Sequence, residues 1–267
     1  MRVRVSSFLA VACLASLAAC DSRKPSTETF VWKGPMNRDA LLRLRNVNGD
    51  FDIRQGTSDS AEIRLEIERS SEYAPSVQIK VLQLADGVIA CALYGSNNSC
   101  SADGYEGGNT QTSHLLRWFR GSSNVHGTVL VPRGVRLDAE STNGDITVAA
   151  IGADLKLRTV NGDIQARGAR RAVQISTTNG DVDLGVDSLG SMVKVQTTNG
   201  GVTLELPAAL NAALTMETVN GDLDLGFPAT IVTKSRRSLI ATLGSGGAPI
   251  SLSTTNGDIT LRQRGAP

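Results

Sequence analysis

The chain has 267 residues, 27 of them basic and 26 acidic, for a formal net charge of +1. That balance excludes the strong positive field that draws proteins to nucleic acid, and equally a pull on acidic partners. Two histidines and 4% aromatic residues leave little equipment for catalysis or base stacking.

The first predicted element is a targeting segment, residues 1–19. Arg2 and Arg4 form a short basic region, and residues 8–19 are apolar but too few to span a bilayer. Leu17, Ala18 and Ala19 precede Cys20, and small residues directly before a cysteine resemble a bacterial lipobox. The resemblance implies cleavage before Cys20 and lipid on that residue, an ordinary secretory signal being the alternative. Acyl chains contribute ~0.8 kcal/mol per buried CH₂, so two or more on one residue anchor a chain stably. Asp21 resembles the signal that retains lipoproteins in the inner membrane. This implies the periplasmic face of that membrane, with the outer membrane as the alternative. Residues 20–29 then read as the lipidated cysteine and a polar tether, and residues 30–267 as one elongated β-repeat domain.

That domain opens on the first of seven Asn-Gly dipeptides: Asn48-Gly49, Asn143-Gly144, Asn161-Gly162, Asn179-Gly180, Asn199-Gly200, Asn220-Gly221 and Asn256-Gly257. Six and four residues before each asparagine, and three and five after it, every copy is apolar, from Leu42, Leu44, Phe51 and Ile53 to Ile250, Leu252, Ile259 and Leu261. The intervening positions are polar and mixed in sign. Strict period-2 alternation marks half-buried strands, so residues 30–54 contain a first unit of two short strands joined at Asn-Gly.

Residues 55–134 break the period. Strand-like runs occur at 61–68, 77–84 and 88–93, with Asp86-Gly87 as a hairpin turn between the last two. Cys91 and Cys100 are an even pair once Cys13 leaves with the signal and Cys20 is lipidated. In an oxidising compartment they read as a disulfide. From 95 to 127 the composition is that of a loop, containing Arg117, Trp118, Phe119 and Arg120 beside His114. This run reads either as a lid closing over the core or as a contact for a protein partner or the membrane. Strand character returns at 128–131.

From Asn143 the asparagines are 18, 18, 20, 21 and 36 residues apart. A fixed period of this size signals one structural unit stacked repeatedly, and residues 135–267 form the regular array. Asn-Gly tolerates positive φ at both positions, so it serves equally as a hairpin tip or a solenoid corner. The expected fold is all-β. Recurrence of threonine two before asparagine favours a β-solenoid with parallel rungs, in which like residues stack ~4.8 Å apart and asparagines form amide ladders. An antiparallel meander or sandwich is the alternative. The 36-residue interval predicts a degenerate rung around residues 239–243.

The LRLRNVNGDFDI unit, the ACALYG stretch, the VLVPRGVRL lead-in and the TTNGD array together resemble a bacterial putative-adhesin family. The resemblance covers about residues 30–262. It implies a β-solenoid-like fold, a function not established, and no catalytic residues to carry over.

Asp50, Asp145, Asp163, Asp181, Asp222 and Asp258 follow the glycines. The simpler reading is an aspartate bonded to its own turn. Calcium at Asp145, Asp163, Asp181, Asp222 and Asp258 is the weaker reading, since calcium-binding β-rolls use a nonapeptide GGxGxD period. No cofactor, other metal or catalytic constellation is expected, and a carbohydrate-active enzyme stays only because a β-helix can host one. The expected function is that of a non-catalytic envelope lipoprotein, anchored by lipid, whose solenoid binds an envelope protein or surface glycan, or serves structurally. A periplasmic stress or regulatory accessory docking a membrane protein is the alternative.

Overall fold

The computed structural model describes residues 25–95, 98–102, 104–106 and 121–265. They form 23 strands. The head of the molecule contains β1 (Ser26–Pro35), β2 (Leu41–Arg45), β3 (Phe51–Gln55), β4 (Ser60–Arg69), β5 (Val77–Leu84), β6 (Gly87–Tyr94), β7 (Ser99–Ser101), β8 (Gly104–Glu106) and β9 (Ser123–Val131). The array follows as strand pairs: β10 (Arg136–Glu140) with β11 (Ile146–Ala149), β12 (Leu155–Arg158) with β13 (Ile164–Ala169), and β14 (Val173–Ser176) with β15 (Val182–Val186). After them come β16 (Val193–Gln196) with β17 (Val202–Leu206) and β18 (Ala212–Asn220) with β19 (Leu223–Gly226). The chain ends through β20 (Thr230–Lys234), β21 (Ser238–Leu243), β22 (Ala248–Asn256) and β23 (Ile259–Gln263).

Within each unit the chain runs along one sheet, turns at Asn-Gly, and returns along the other. Equivalent strands of successive units pair in parallel and in register, Leu137 beside Leu155 and Ile146 beside Ile164. This is the β-solenoid, and the antiparallel meander is excluded. One sheet has ten strands in the order β1-β4-β9-β3-β11-β13-β15-β17-β23-β19; the other has eleven, β20-β21-β18-β22-β16-β14-β12-β10-β2-β6-β5. The four apolar columns fill the space between the sheets. Every member is buried except Leu223 and Leu225, which are half-buried. Each Val, Leu or Ile so placed contributes about 1.5–3 kcal/mol.

The structure departs from the sequence expectations at five points. Residues 239–243 are not a degenerate rung: β21 pairs antiparallel with β18 and β20 antiparallel with β21. The rung spanning β22 and β23 does not follow the others at the end of the stack. It is inserted between the rungs of Asn199 and Asn220, with β22 parallel to both β16 and β18. The returning strand in the head is longer than residues 128–131, beginning at Ser123, and β1 begins at Ser26, inside the segment read as tether. The first Asn-Gly unit is also internal, since β6 and β9 extend the stack beyond β2 and β3.

Candidate binding surface of the solenoid

The seven Asn-Gly corners form one edge of the molecule, and their polar groups bond from rung to rung. Asn143 donates its side-chain amide to Asn48 Oδ1 at 2.8 Å, and the same bond recurs from Asn161, Asn179, Asn199, Asn256 and Asn220, each to its neighbour at 2.7–2.8 Å. The positive φ expected of the pair is found at six of the seven corner glycines, Gly49, Gly144, Gly162, Gly180, Gly200 and Gly257, and the glycines answer a second need as well. None of these asparagines has positive φ. A Cβ at Gly144, Gly162, Gly180, Gly200 or Gly257 would also lie 2.0–2.2 Å from the carbonyl oxygen of the adjacent rung's glycine. That same carbonyl accepts a bond from the buried threonine: Thr159 to Gly144 at 3.0 Å, Thr177 to Gly162 at 3.1 Å. The threonine column therefore satisfies a carbonyl that stacking would leave buried.

The aspartates are the third polar column. Every carboxylate but that of Asp222 accepts the backbone N–H at the same position of the next rung, as Asp145 Oδ1 does from Asp163 at 2.8 Å, and not an N–H of its own turn. Asp145, Asp163 and Asp181 line, with Asp183, a groove of about 280 Å³. Among the described residues no group of three His, Cys, Asp or Glu side chains is placed to hold a metal ion.

The outer face of the eleven-strand sheet is less regular. In parallel register, Arg43 and Lys156 flank Asp138, and Arg45 and Arg158 flank Glu140. Charge signs thus alternate up the stack. Arg45 and Asp138 are buried and paired, with Arg45 Nη1 3.2 Å from Asp138 Oδ1 and 2.8 Å from the Asp138 carbonyl. Lys156 Nζ lies 3.3 Å from Asp138 Oδ2, and Arg45 Nε 3.6 Å from Glu140. A groove of about 500 Å³ passes over this network, lined by Arg43, Arg136, Lys156, Gln174, the exposed Met192, and Ala102 of the β7–β8 hairpin.

That hairpin is positioned by the disulfide between Cys91 and Cys100, whose Cα atoms are 6.1 Å apart. Both cysteines are buried in a satellite cluster with Ile89 and Leu93, against which Tyr105 packs. Gly104 brings the hairpin to the Arg45 guanidinium. Burial pushes the Tyr105 phenol up, and more strongly that of Tyr94. Tyr94 donates to the Asn48 carbonyl and to Asn46 Oδ1, both at 2.8 Å, closing the head of the asparagine ladder.

The sequence reading did not single out Arg45, Asp138 or Lys156. Their signal was present in the polar columns, where plus, minus and plus succeed one another at one position of the repeat, but it has meaning only once parallel register is assumed. Cys20, His114 and the run Arg117, Trp118, Phe119 and Arg120 lie outside the described residues.

A family model, Toastrack DUF4097, matches residues 41–262, from the first rung to the last strand. The chain belongs to this family. The toastrack match takes in all seven corners and the cystine hairpin. Among solved structures, the chain is similar to a putative cell adhesion protein from Clostridium sporogenes ATCC 15579, at 12% identity and TM-score 0.50, covering 90% of this chain and 100% of that one. It is also similar to a putative adhesin from Bacteroides fragilis NCTC 9343, at 9% identity and TM-score 0.40, with 88% and 97% covered. No curated protein matches the sequence.

Proposed function

We propose that this toastrack protein is a non-catalytic envelope lipoprotein, anchored through Cys20, that binds an extended polar ligand on the outer face of its eleven-strand sheet. The observation that carries the reading is the groove over the Arg45–Asp138 network. There Arg43 on β2, Lys156 on β12 and Gln174 on β14 stand beside an exposed methionine, and the cystine-held hairpin borders them through Ala102. The corner edge is a poorer candidate, because its amides and carboxylates already serve one another along the stack. A mixed donor and acceptor surface with an apolar contact suits a protein segment or a glycan. The description of the Clostridium structure as a putative cell adhesion protein supports this direction.

Between Cys20 and β1 lie residues 21–25, which reach ~17 Å when extended. A domain held that close to a bilayer favours a membrane protein as partner, and so supports the accessory reading alongside the adhesive one. Two measurements test the proposal. Cys20→Ser is expected to release the chain from the membrane fraction; retention there would overturn the lipid anchor. A photo-crosslinking residue at Gln174, in cells, is expected to capture a partner that the same residue at Thr147 on the opposite sheet does not. Equal capture at both positions, or at neither, would remove the groove from consideration.

A further inference from the structure

The two ends of the solenoid are built differently. At the head, both sheets continue past the first Asn-Gly rung, through β9, β4 and β1 on one side and β6 and β5 on the other. At the far end the ten-strand sheet stops at β19, whereas the eleven-strand sheet continues two strands past β18, through β21 and β20. The result is a step two strands high, ~9.5 Å at the usual strand spacing.

Both treads of this step are open. In every earlier rung the glycine and third-after N–H groups donate to the following rung, as Gly257 does to Asn220 and Ile259 to Asp222, both at 2.9 Å. Gly221 and Leu223, in the last rung of the ten-strand sheet, have no following rung among the described residues. Leu223 and Leu225 are the only members of the four core columns left half-exposed. On the other tread β20 is exposed along its whole length, with Ile231 at 49% and Val232 at 65%. Long unpaired edges with apolar side chains are what monomeric β-proteins avoid.

We propose that the occupant of this step is a second copy of the chain, in an interlocked two-fold dimer. A step of two strands is self-complementary. Rotation about an axis along the strands, midway between the sheets, brings the partner's eleven-strand sheet into line with the ten-strand sheet. The partner's β20 and β21 then fill the two empty levels beyond β19, and β20 and β21 of the first copy do the same for the partner. Directions agree as well. Because β20 is antiparallel to β21, and β21 to β18, β20 runs as β18 does and opposite to β19. A rotation axis along the strands preserves direction, so β20 meets the partner's β19 antiparallel. Ile231, opposite the buried Ala241 and hence on the core side, comes to lie over the partner's Leu223 and Leu225.

Charge fits the same arrangement. Antiparallel pairing brings the Lys234 end of β20, with Arg236 and Arg237 in the following turn, to the start of the partner's β19. Asp222 and Asp224 stand there. Among the described residues none of these five side chains has an ion-pair partner within its own chain, while the Asp222 carboxylate, last of its column, has no following N–H to accept. The contact is isologous, with each copy giving and receiving the same groups.

Sedimentation equilibrium of the full chain in non-ionic detergent tests the proposal, with Cys20→Ser run in parallel to exclude association through lipid. A dimer at micromolar concentration is expected. Lys234→Glu and Asp224→Lys, each alone, should raise the dimer dissociation constant at least ~tenfold, and the two together should restore it to within ~threefold. Because β20 is an exposed edge, melting of the monomer should be unmoved. Should a charge reversal disturb folding, Ile231→Ser supplies the same weakening without a charge. A chain that stays monomeric to about 100 µM, or a dimer indifferent to both reversals, would overturn the assignment.

Discussion

The side-chain amide of Asn143 donates to Asn48 Oδ1 over 2.8 Å, across 95 residues of sequence. The bond is the first step of a ladder that runs through all seven corners, and the rest of the edge is arranged around it. Each inner asparagine both gives and takes, whereas Asn48 only accepts and Asn220 only donates.

Asn179→Asp keeps the shape and the acceptor but removes the donor, leaving Asn161 Oδ1 without its partner. It also introduces a carboxylate close to Asp163 and Asp181. We expect a loss of about 1–2 kcal/mol in urea unfolding. The same change at Asn48, which accepts from Asn143 but donates no bond of the ladder, should cost less than half as much, since it keeps the acceptor and breaks no ladder bond. Equal losses at the two positions would show that the lost donor bond is not what the change at Asn179 costs.

Gly180→Ala places a Cβ 2.0 Å from the Gly162 carbonyl oxygen and 2.5 Å from its carbon, backbone atoms that the stacked rung holds in place. A loss of about 3 kcal/mol or more is expected, or failure to fold. Gly152→Ala, whose Cβ would meet only Gln55 Oε1 at 3.9 Å, should stay within about 0.5 kcal/mol of the parent. Thermal melting of both variants checks the contrast.

Gly201 interrupts the aspartate column, so the Asp258 N–H lacks the carboxylate acceptor its counterparts have. Gly201→Asp supplies one but sets a charge between Asp181 and Asp258. The balance should depend on salt. We expect the variant to be stabilised by about 0.5 kcal/mol at 0.5 M NaCl, where like charges ~5 Å apart are better screened, and to gain nothing at 10 mM. Gain without salt dependence would mean the charges do not interact.

Hydrogen bonding from Arg264, at 2.6 Å, and from Arg170 holds the Asp187 carboxyl below its ordinary value of 3.8. A lowered folded-state pKa contributes stability above the unfolded value and loses it as pH falls through the folded one. Asp187→Asn should therefore melt lower than the parent at pH 7. The gap should close as pH is taken below about 4. A gap unchanged at pH 2 would mean that shape, not charge, holds the pair.

Replacing Cys91 and Cys100 with serine opens a loop of sequence separation 9, for which a loss of about 2–3 kcal/mol is expected. With Cys91 fully buried and Cys100 nearly so, dithiothreitol should reduce the bond only as fast as the surrounding strands open, which alkylation rates on the native protein measure.

The apolar columns were legible because period-2 alternation is a local property, and a strand buried on one face has no other way to be written. Every column residue from Leu42 to Leu261 is buried, apart from Leu223 and Leu225. Asn-Gly was legible as a turn with positive φ at its glycine, but only half its reason was local, since the approach of one rung's carbonyl to the next rung's glycine is a distance between segments. The groove was less legible still. Arg45 and Asp138 lie 93 residues apart, and only the stacking of β10 on β2 brings them together. The order of the last rungs left no mark at all. Units with the same columns fit beside one another in any order, so nothing in TTNGDITL distinguishes an inner position from a terminal one.

That interchangeability bears on how the molecule is assembled. The strands β22 and β23 enter a slot whose walls, β16–β17 and β18–β19, are both synthesised earlier. A chain emerging from the ribosome cannot simply add each new layer to the last. It must hold the layer of Asn220 away from that of Asn199 until residues 248–263 arrive, or release a wrong pairing of the two to admit them. The C-terminal segment is thus a wedge driven in last. A truncation before Ala248 should let β18 collapse onto β16, giving a shorter, closed stack in place of one with a gap.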